Sequence, residues 1–184
     1  MQRLPTAIPD VALIQPKVFG DQRGFFLESY SERTFKELGL PTRFVQDNHS
    51  KSIRSVLRGI HYQLQNAQGK LVRVLQGEIY DVAVDLRKSS PTFGQFVGEI
   101  LNDTNRHMLW IPPGFGHGFL VLSDSAEVAY KASEFYTPEH ERSLLWNDPT
   151  ISIPWPLHLI EHAGPVLSAK DAAGALLQDA EVYA

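Results

Sequence analysis

His61 and His117 are the side chains whose type and setting best suit chemistry in this chain. The run Ile111-Pro-Pro-Gly-Phe-Gly-His117 is a Pro/Gly turn that delivers a histidine onto the segment that follows it. Strand parity then gives Phe119 and Val121 the same face as His117. A histidine alone reads as a buried residue bonded to backbone; the turn in front of it points instead to a pocket. Arg58-Gly-Ile-His61 is the second setting, and it carries a parity problem. Residues three apart on a regular strand face opposite sides. Either Gly59 marks a bulge, or Arg58 lies ahead of the strand, or Arg58 serves a neighbouring subunit. In Gly69-Lys70-Leu-Val-Arg73, Lys70 shares a face with Val72 and Val74, so a lysine opens an apolar strand face and projects into a barrel mouth. Tyr130 shares a face with Ala126 and Val128 and reads, taken alone, as a core tyrosine with its hydroxyl bonded. Asp21-x-Arg23-Gly24 alone is a turn, and Gln46-Asp-Asn48-His49 alone is a polar loop. Ser168-Ala-Lys-Asp171 has the pattern of a helix capping box, with Asp in place of the usual Glu.

These side chains need a frame, and the texture from Val11 to Phe135 is that of short strands. Apolar or alternating runs cover 24–30, 70–75, 78–85, 95–101, 107–111, 118–122 and 126–131, broken by Gly, Pro, Asn and Asp. Gln76-Gly77 between two of them is a hairpin signal. Many short strands with close turns predict a sandwich or barrel, not a doubly wound α/β fold. Two short helices complete the expectation. One is capped by Ser31 and ends at Gly39, with Phe35 and Leu38 on one face; the other follows Ser168 and covers 169–178. The stretch 139–165 reads as an ordered wrapping loop. No linker divides the chain, so residues 1–184 are expected to form one mainly β domain with peripheral helices.

Composition narrows the function classes. The 184 residues include 17 basic and 21 acidic side chains, a formal charge of -4 with no block of either sign, so no nucleic-acid footprint is visible. The absence of cysteine excludes disulfides and thiolate metal sites. No apolar run approaches membrane-spanning length. Met1-Gln-Arg-Leu-Pro5 lacks the apolar segment of a secretion signal, and a cytoplasmic protein is the expectation.

Pro112-x-Gly114-x-x-His117 matches the second motif of the cupin superfamily. Where metal-binding cupins carry His-x-His on an earlier strand, this chain has His61-Tyr-Gln63, which leaves two well-placed histidines and no evident carboxylate. No metal site is expected. The ordered blocks go further. Asp21-x-Arg-Gly-Phe-Phe26, Phe44-Val-Gln-Asp-Asn-His49, Leu57-Arg-Gly-Ile-His-Tyr-Gln63, Gly69-Lys-Leu-Val-Arg73, Asp85-Leu-Arg-Lys-Ser-Ser-Pro-Thr-Phe-Gly94, Pro113-Gly-Phe-Gly-His-Gly-Phe119, Tyr130-Lys131, Pro138-Glu-His-Glu141 and Leu167-Ser-Ala-Lys-Asp171 follow one pattern. That pattern, from about Phe19 to Asp171, closely resembles the dTDP-4-dehydrorhamnose 3,5-epimerase family. The resemblance implies a cupin-type β-jelly-roll and a homodimer working without metal, nicotinamide or other cofactor. It implies dTDP-4-dehydro-6-deoxy-D-glucose as substrate, in the route to dTDP-L-rhamnose for bacterial surface polysaccharide.

By that resemblance His61 matches the catalytic base, Tyr130 the proton donor, Asp171 the carboxylate orienting the base, and Lys70 the residue near the enolate oxygen. Arg23, Glu28, Gln46, Asn48, Arg58, His117, Glu141 and Lys170 match substrate-binding positions. The chemistry is coherent: C3 and C5 both flank the C4 ketone, so one electrophilic site activates both. A histidine suits a base near neutral pH, and inversion requires a second group on the opposite face. Three other readings predict different behaviour. A mono-epimerase would act at C3 or C5 only, a metal-dependent cupin oxygenase would carry stoichiometric metal, and a non-catalytic sugar-binding jelly roll would never exchange substrate protons with solvent.

Overall fold

Alternation decides which way each strand faces, and the computed structural model, which describes residues 1–160 and 164–184, shows where those faces meet. The strands and helices follow as β1 (Gln2–Leu4), β2 (Ala12–Gln15), β3 (Val18–Asp21), β4 (Gly24–Leu27), α1 (Glu32–Glu37), β5 (Gln46–Ile53), β6 (Leu57–Gln63) and β7 (Lys70–Gln76). They continue as β8 (Glu78–Asp85), β9 (Phe96–Asn102), β10 (Met108–Ile111), β11 (Phe115–Val121), β12 (Ser125–Ala132), β13 (Glu141–Ser143) and α2 (Ala169–Ala172). One sheet has the order β1-β2-β10-β7-β12-β5 and the other β13-β6-β11-β8-β9, while β3 and β4 form a hairpin of their own. Two packed antiparallel sheets make the expected β-jelly-roll.

The space between the sheets is filled by the faces that parity assigned. Val72 and Val74 of β7, Phe119 and Val121 of β11, and Ala126 and Val128 of β12 are all buried there, with Tyr130 packed against them. The outer face of the six-stranded sheet is covered by α1, whose Phe35 lies on Ala12, Ile14, Leu71 and Trp110. Ser31 caps that helix through Thr34 N–H, and Gly39 follows it at φ +68°. The outer face of the other sheet is covered by Leu144, Ile151, Ile153, Trp155, Ile160 and Leu177. The described part of the 139–165 stretch therefore wraps the fold as expected; residues 161–163 of it lie outside the described residues.

Three local expectations are corrected. Gln76-Gly77 does not close a hairpin, because β7 and β8 belong to different sheets and Gly77, at φ +83°, turns the chain from one to the other. Gln46–Ile53 is a strand, not a loop; it is the polar edge of its sheet and pairs with all of β12. The helix after Ser168 ends at Ala172 instead of near Gln178. Its alanines favour helix, but Ala175 bridges Leu144, and the close approach there admits only glycine at 174. Tertiary pairing overrides propensity.

Candidate active site

The bulge on β6 resolves the parity problem. His61 pairs with His117 while Arg58 pairs with Phe119, so three steps on β6 face two on β11. Gly59 makes this possible: its φ is +109°, and a Cβ there would stand 2.5 Å from Gly118 Cα. Arg58 and His61 consequently look into the same cleft, a space of about 380 Å³ that Lys70, His117, Tyr130 and Asp171 also line. Beyond the bulge alternation resumes, with Ile60 and Tyr62 packed on the outer face.

His61 Nε2 lies 2.6 Å from Asp171 Oδ1. The histidine side chain is 27% exposed and the carboxylate 5%, so the ring meets the cleft while its partner is sealed behind it. Asp171 also accepts from the Gly59 N–H at 3.3 Å and from the Ser168 hydroxyl at 2.7 Å. Burial alone would raise its pKa, but the bonds from His61, Ser168 and Gly59 prevail and hold the carboxyl at about 2. The capping geometry is present as well, since Ser168 Oγ accepts from Asp171 N–H at 3.1 Å. Ser168 thus both starts α2 and donates to the carboxylate that meets His61.

Lys70, surrounded by protein at the start of β7, is pushed by burial down to about 8, with Glu141 and Asp81 limiting the fall. Its Nζ stands 5.8 Å from the centre of the Tyr130 ring. Burial, then Glu141, raises the Tyr130 pKa, with Arg58 offsetting part of the rise, so the phenol keeps its proton at neutral pH. His117 is buried and its Nε2 lies 2.7 Å from Asp81 Oδ1. Burial lowers its pKa, against the pull of Asp81. At the rim, Glu141 accepts from the Tyr136 hydroxyl at 2.7 Å and pairs with Lys170 Nζ at 2.5 Å. Burial would raise the Glu141 pKa, but these two bonds bring it below the ordinary range.

Most of the residues expected from the sequence therefore come together. Asn48 lies directly across from Tyr130 in the β5–β12 ladder, and Gln46 follows two residues away on the same face. Arg58 Nε donates to Ser52 at 3.0 Å. Arg23 and Glu28 are the exceptions. Arg23 pairs with Asp21 at the tip of the exposed β3–β4 hairpin, and Glu28 accepts from Thr34; neither lines the cleft of its own chain. Asp81 and Tyr136 were not singled out from the sequence. The first was legible in the alternation Ile79, Asp81, Ala83, which puts a carboxylate on a buried strand face; the second sits in an irregular segment with no periodicity to read. Among the described residues, no three His, Asp, Glu or Cys side chains converge as a metal set.

A sequence profile for dTDP-4-dehydrorhamnose 3,5-epimerase matches residues 5–179. The chain is 56% identical over 184 residues to the dTDP-4-dehydrorhamnose 3,5-epimerase of Pseudomonas aeruginosa, covering 100% of this chain and 99% of that one. It is 59% identical over 179 residues to the enzyme of the same name from Salmonella typhimurium, covering 96% of each. Among solved structures, it is similar to the dTDP-6-deoxy-D-glucose-3,5-epimerase of Legionella pneumophila in complex with dTDP-4-keto-L-rhamnose. There the TM-score is 0.92 at 50% identity, over 98% of this chain and 94% of that one.

Proposed function

The chain belongs to the dTDP-4-dehydrorhamnose 3,5-epimerase family, and from that premise we propose how its residues divide the reaction. The protein is an isomerase that converts dTDP-4-dehydro-6-deoxy-D-glucose into dTDP-4-dehydro-L-rhamnose. His61 removes the proton from C3, and the electron pair of that C–H bond moves into the C4 carbonyl. The resulting enolate oxygen faces the Lys70 ammonium, whose charge stabilises it. Tyr130 then gives its hydroxyl proton to the opposite face of the carbon. Water takes the proton from His61 and returns one to Tyr130, which restores both groups. The same cycle at C5 completes the inversion, and no electron is gained or lost. Asp171 fixes the ring of His61 and stabilises its protonated form. Arg58, His117, Gln46, Asn48, Glu141 and Lys170 hold the nucleotide sugar around this centre.

The observation that carries the assignment is the His61–Asp171 pair at 2.6 Å opening onto a cleft shared with Lys70 and Tyr130. In deuterated, metal-chelated buffer with no nicotinamide, label should enter C3 and C5. Label at one carbon would make the protein a mono-epimerase. Binding without label would make it a sugar-binding jelly roll.

The reading includes a homodimer in the cytoplasm. Among the described residues the β3–β4 ribbon pairs with no other strand of its own chain, and Phe19, Phe25 and Phe26 are 53%, 59% and 70% exposed. An apolar ribbon of that kind is covered in a stable assembly. A second copy's cleft is where Arg23 and Glu28 would meet substrate. Sedimentation of wild type and of Phe25→Ser/Phe26→Ser tests this, since the double variant should shift toward monomer.

A further inference from the structure

Gln63 stands two residues beyond His61 on the inner face of β6 and is 3% exposed. It occupies the place where metal-binding cupins carry the second histidine of His-x-His. Here its carboxamide is fully engaged. Nε2 donates to the carbonyls of Asn66 at 2.8 Å and Phe135 at 3.2 Å, and Oε1 accepts from the Thr137 N–H at 2.9 Å. Two further amide side chains act on the same segment: Gln68 Nε2 donates to the Glu134 carbonyl at 2.8 Å, and Gln46 Oε1 accepts from the Tyr136 N–H at 3.3 Å. One backbone group of each residue from Glu134 to Thr137 is therefore bonded to a carboxamide.

Residues 134–137 belong to no strand or helix, and Phe135 and Tyr136 are 60% and 50% exposed. Apolar burial does not fix this segment, so the carboxamides do. What the segment presents is the Tyr136 hydroxyl bonded to Glu141, and both residues line a small pocket that shares His61, Lys70 and Tyr130 with the cleft. Only a planar group with two donors and an acceptor makes all three of the Gln63 bonds. A glutamate there lacks the donors, and a leucine fills the volume alone.

We propose that Gln63 is a positioning residue for the cleft mouth, its carboxamide holding residues 134–137 so that Tyr136 and Glu141 face the bound nucleotide sugar. The proposal rests on the epimerase reading of this cleft. Gln63→Leu is measured by steady-state kinetics and by deuterium entry at saturating substrate, alone and combined with Tyr136→Ala. KM should rise by roughly tenfold, while the saturated rate of deuterium entry stays within about threefold of wild type. In the Tyr136→Ala background the same substitution should add less than about twofold, because the two residues act in one unit. An unchanged KM, a purely additive effect, or a fall in the saturated rate at constant KM overturns it. If Gln63→Leu does not fold, Gln68→Leu removes a single bond to the segment and should raise KM a few fold; an unchanged KM there is equally fatal. Should wild type show no deuterium entry at all, the epimerase reading falls. The positioning claim then stands or falls on whether Gln63→Leu weakens dTDP binding by calorimetry.

Discussion

Asp171→Asn tests whether the carboxylate beside His61 serves the reaction or only the fold around it. The change keeps the volume and removes the charge 2.6 Å from His61. The carboxyl sits at about 2 against an ordinary 3.8, and it is nearly sealed from solvent, so its ionised form contributes about 2 kcal/mol to folding. A depressed carboxylate stabilises the fold above its unfolded pKa and loses that contribution as pH falls through the folded one. The contribution of the ionised carboxyl should thus be full above about pH 5 and be lost as pH falls from there through about 2, as urea titrations at several acid pH values will show. The catalytic effect is larger than a lost cap can produce. Among the groups that lower the Asp171 pKa, His61 comes first, and a hydrogen bond to a charged group is worth roughly 1.5–3 kcal/mol. kcat/KM should fall by roughly ten- to hundredfold. A variant with full kcat/KM, only less stable, would show that the Asp171 carboxylate serves the fold around Ser168 and Gly59 and does nothing for His61.

Three further outcomes follow from the geometry. Tyr130→Phe keeps the ring against the core and removes the acid, so deuterium exchange at C3 should survive better than formation of inverted product; equal loss of both would reduce Tyr130 to packing. Lys70 is charged below about 8, so the wild-type kcat/KM should fall above that pH; in Lys70→Arg the alkaline limb should vanish, and its persistence would assign it to another group. Gly59→Ala sets a methyl 2.5 Å from Gly118 Cα at a φ of +109°, and should destabilise the fold by at least about 2 kcal/mol in thermal or urea melts.

Strand faces were readable because alternation is a local code. The inner positions of β7, β11 and β12 followed from parity alone, and the turn that delivers His117 followed from its Pro and Gly residues. What parity could not decide was Arg58 against His61, since a bulge is a relation between two strands and only β11 reveals it. The same limit explains the Gln76-Gly77 error: a glycine at positive φ turns the chain, but whether the next strand pairs back or crosses to the other sheet depends on the core. Gln46–Ile53 escaped notice because an edge strand with polar residues on both faces has no apolar period. Arg23 and Glu28 were matched to substrate by pattern, yet a pattern does not say that the β3–β4 hairpin stands away from the cleft of the same chain. Gln63 stood out as a missing ligand; its use became visible only when residues 134–137 were found against it.

The contact between His61 and Asp171 joins positions 110 residues apart in a chain of 184. Closing a loop of that length comes late among the steps of self-assembly, because its entropy must be offset by structure already formed. During synthesis His61 is made long before Asp171 leaves the ribosome. A nascent chain can hold most of the two sheets and still lack this pair. Recovery of turnover after dilution from denaturant therefore reports the docking of the C-terminal segment, whereas recovery of the β-sheet signal in circular dichroism reports the sandwich alone.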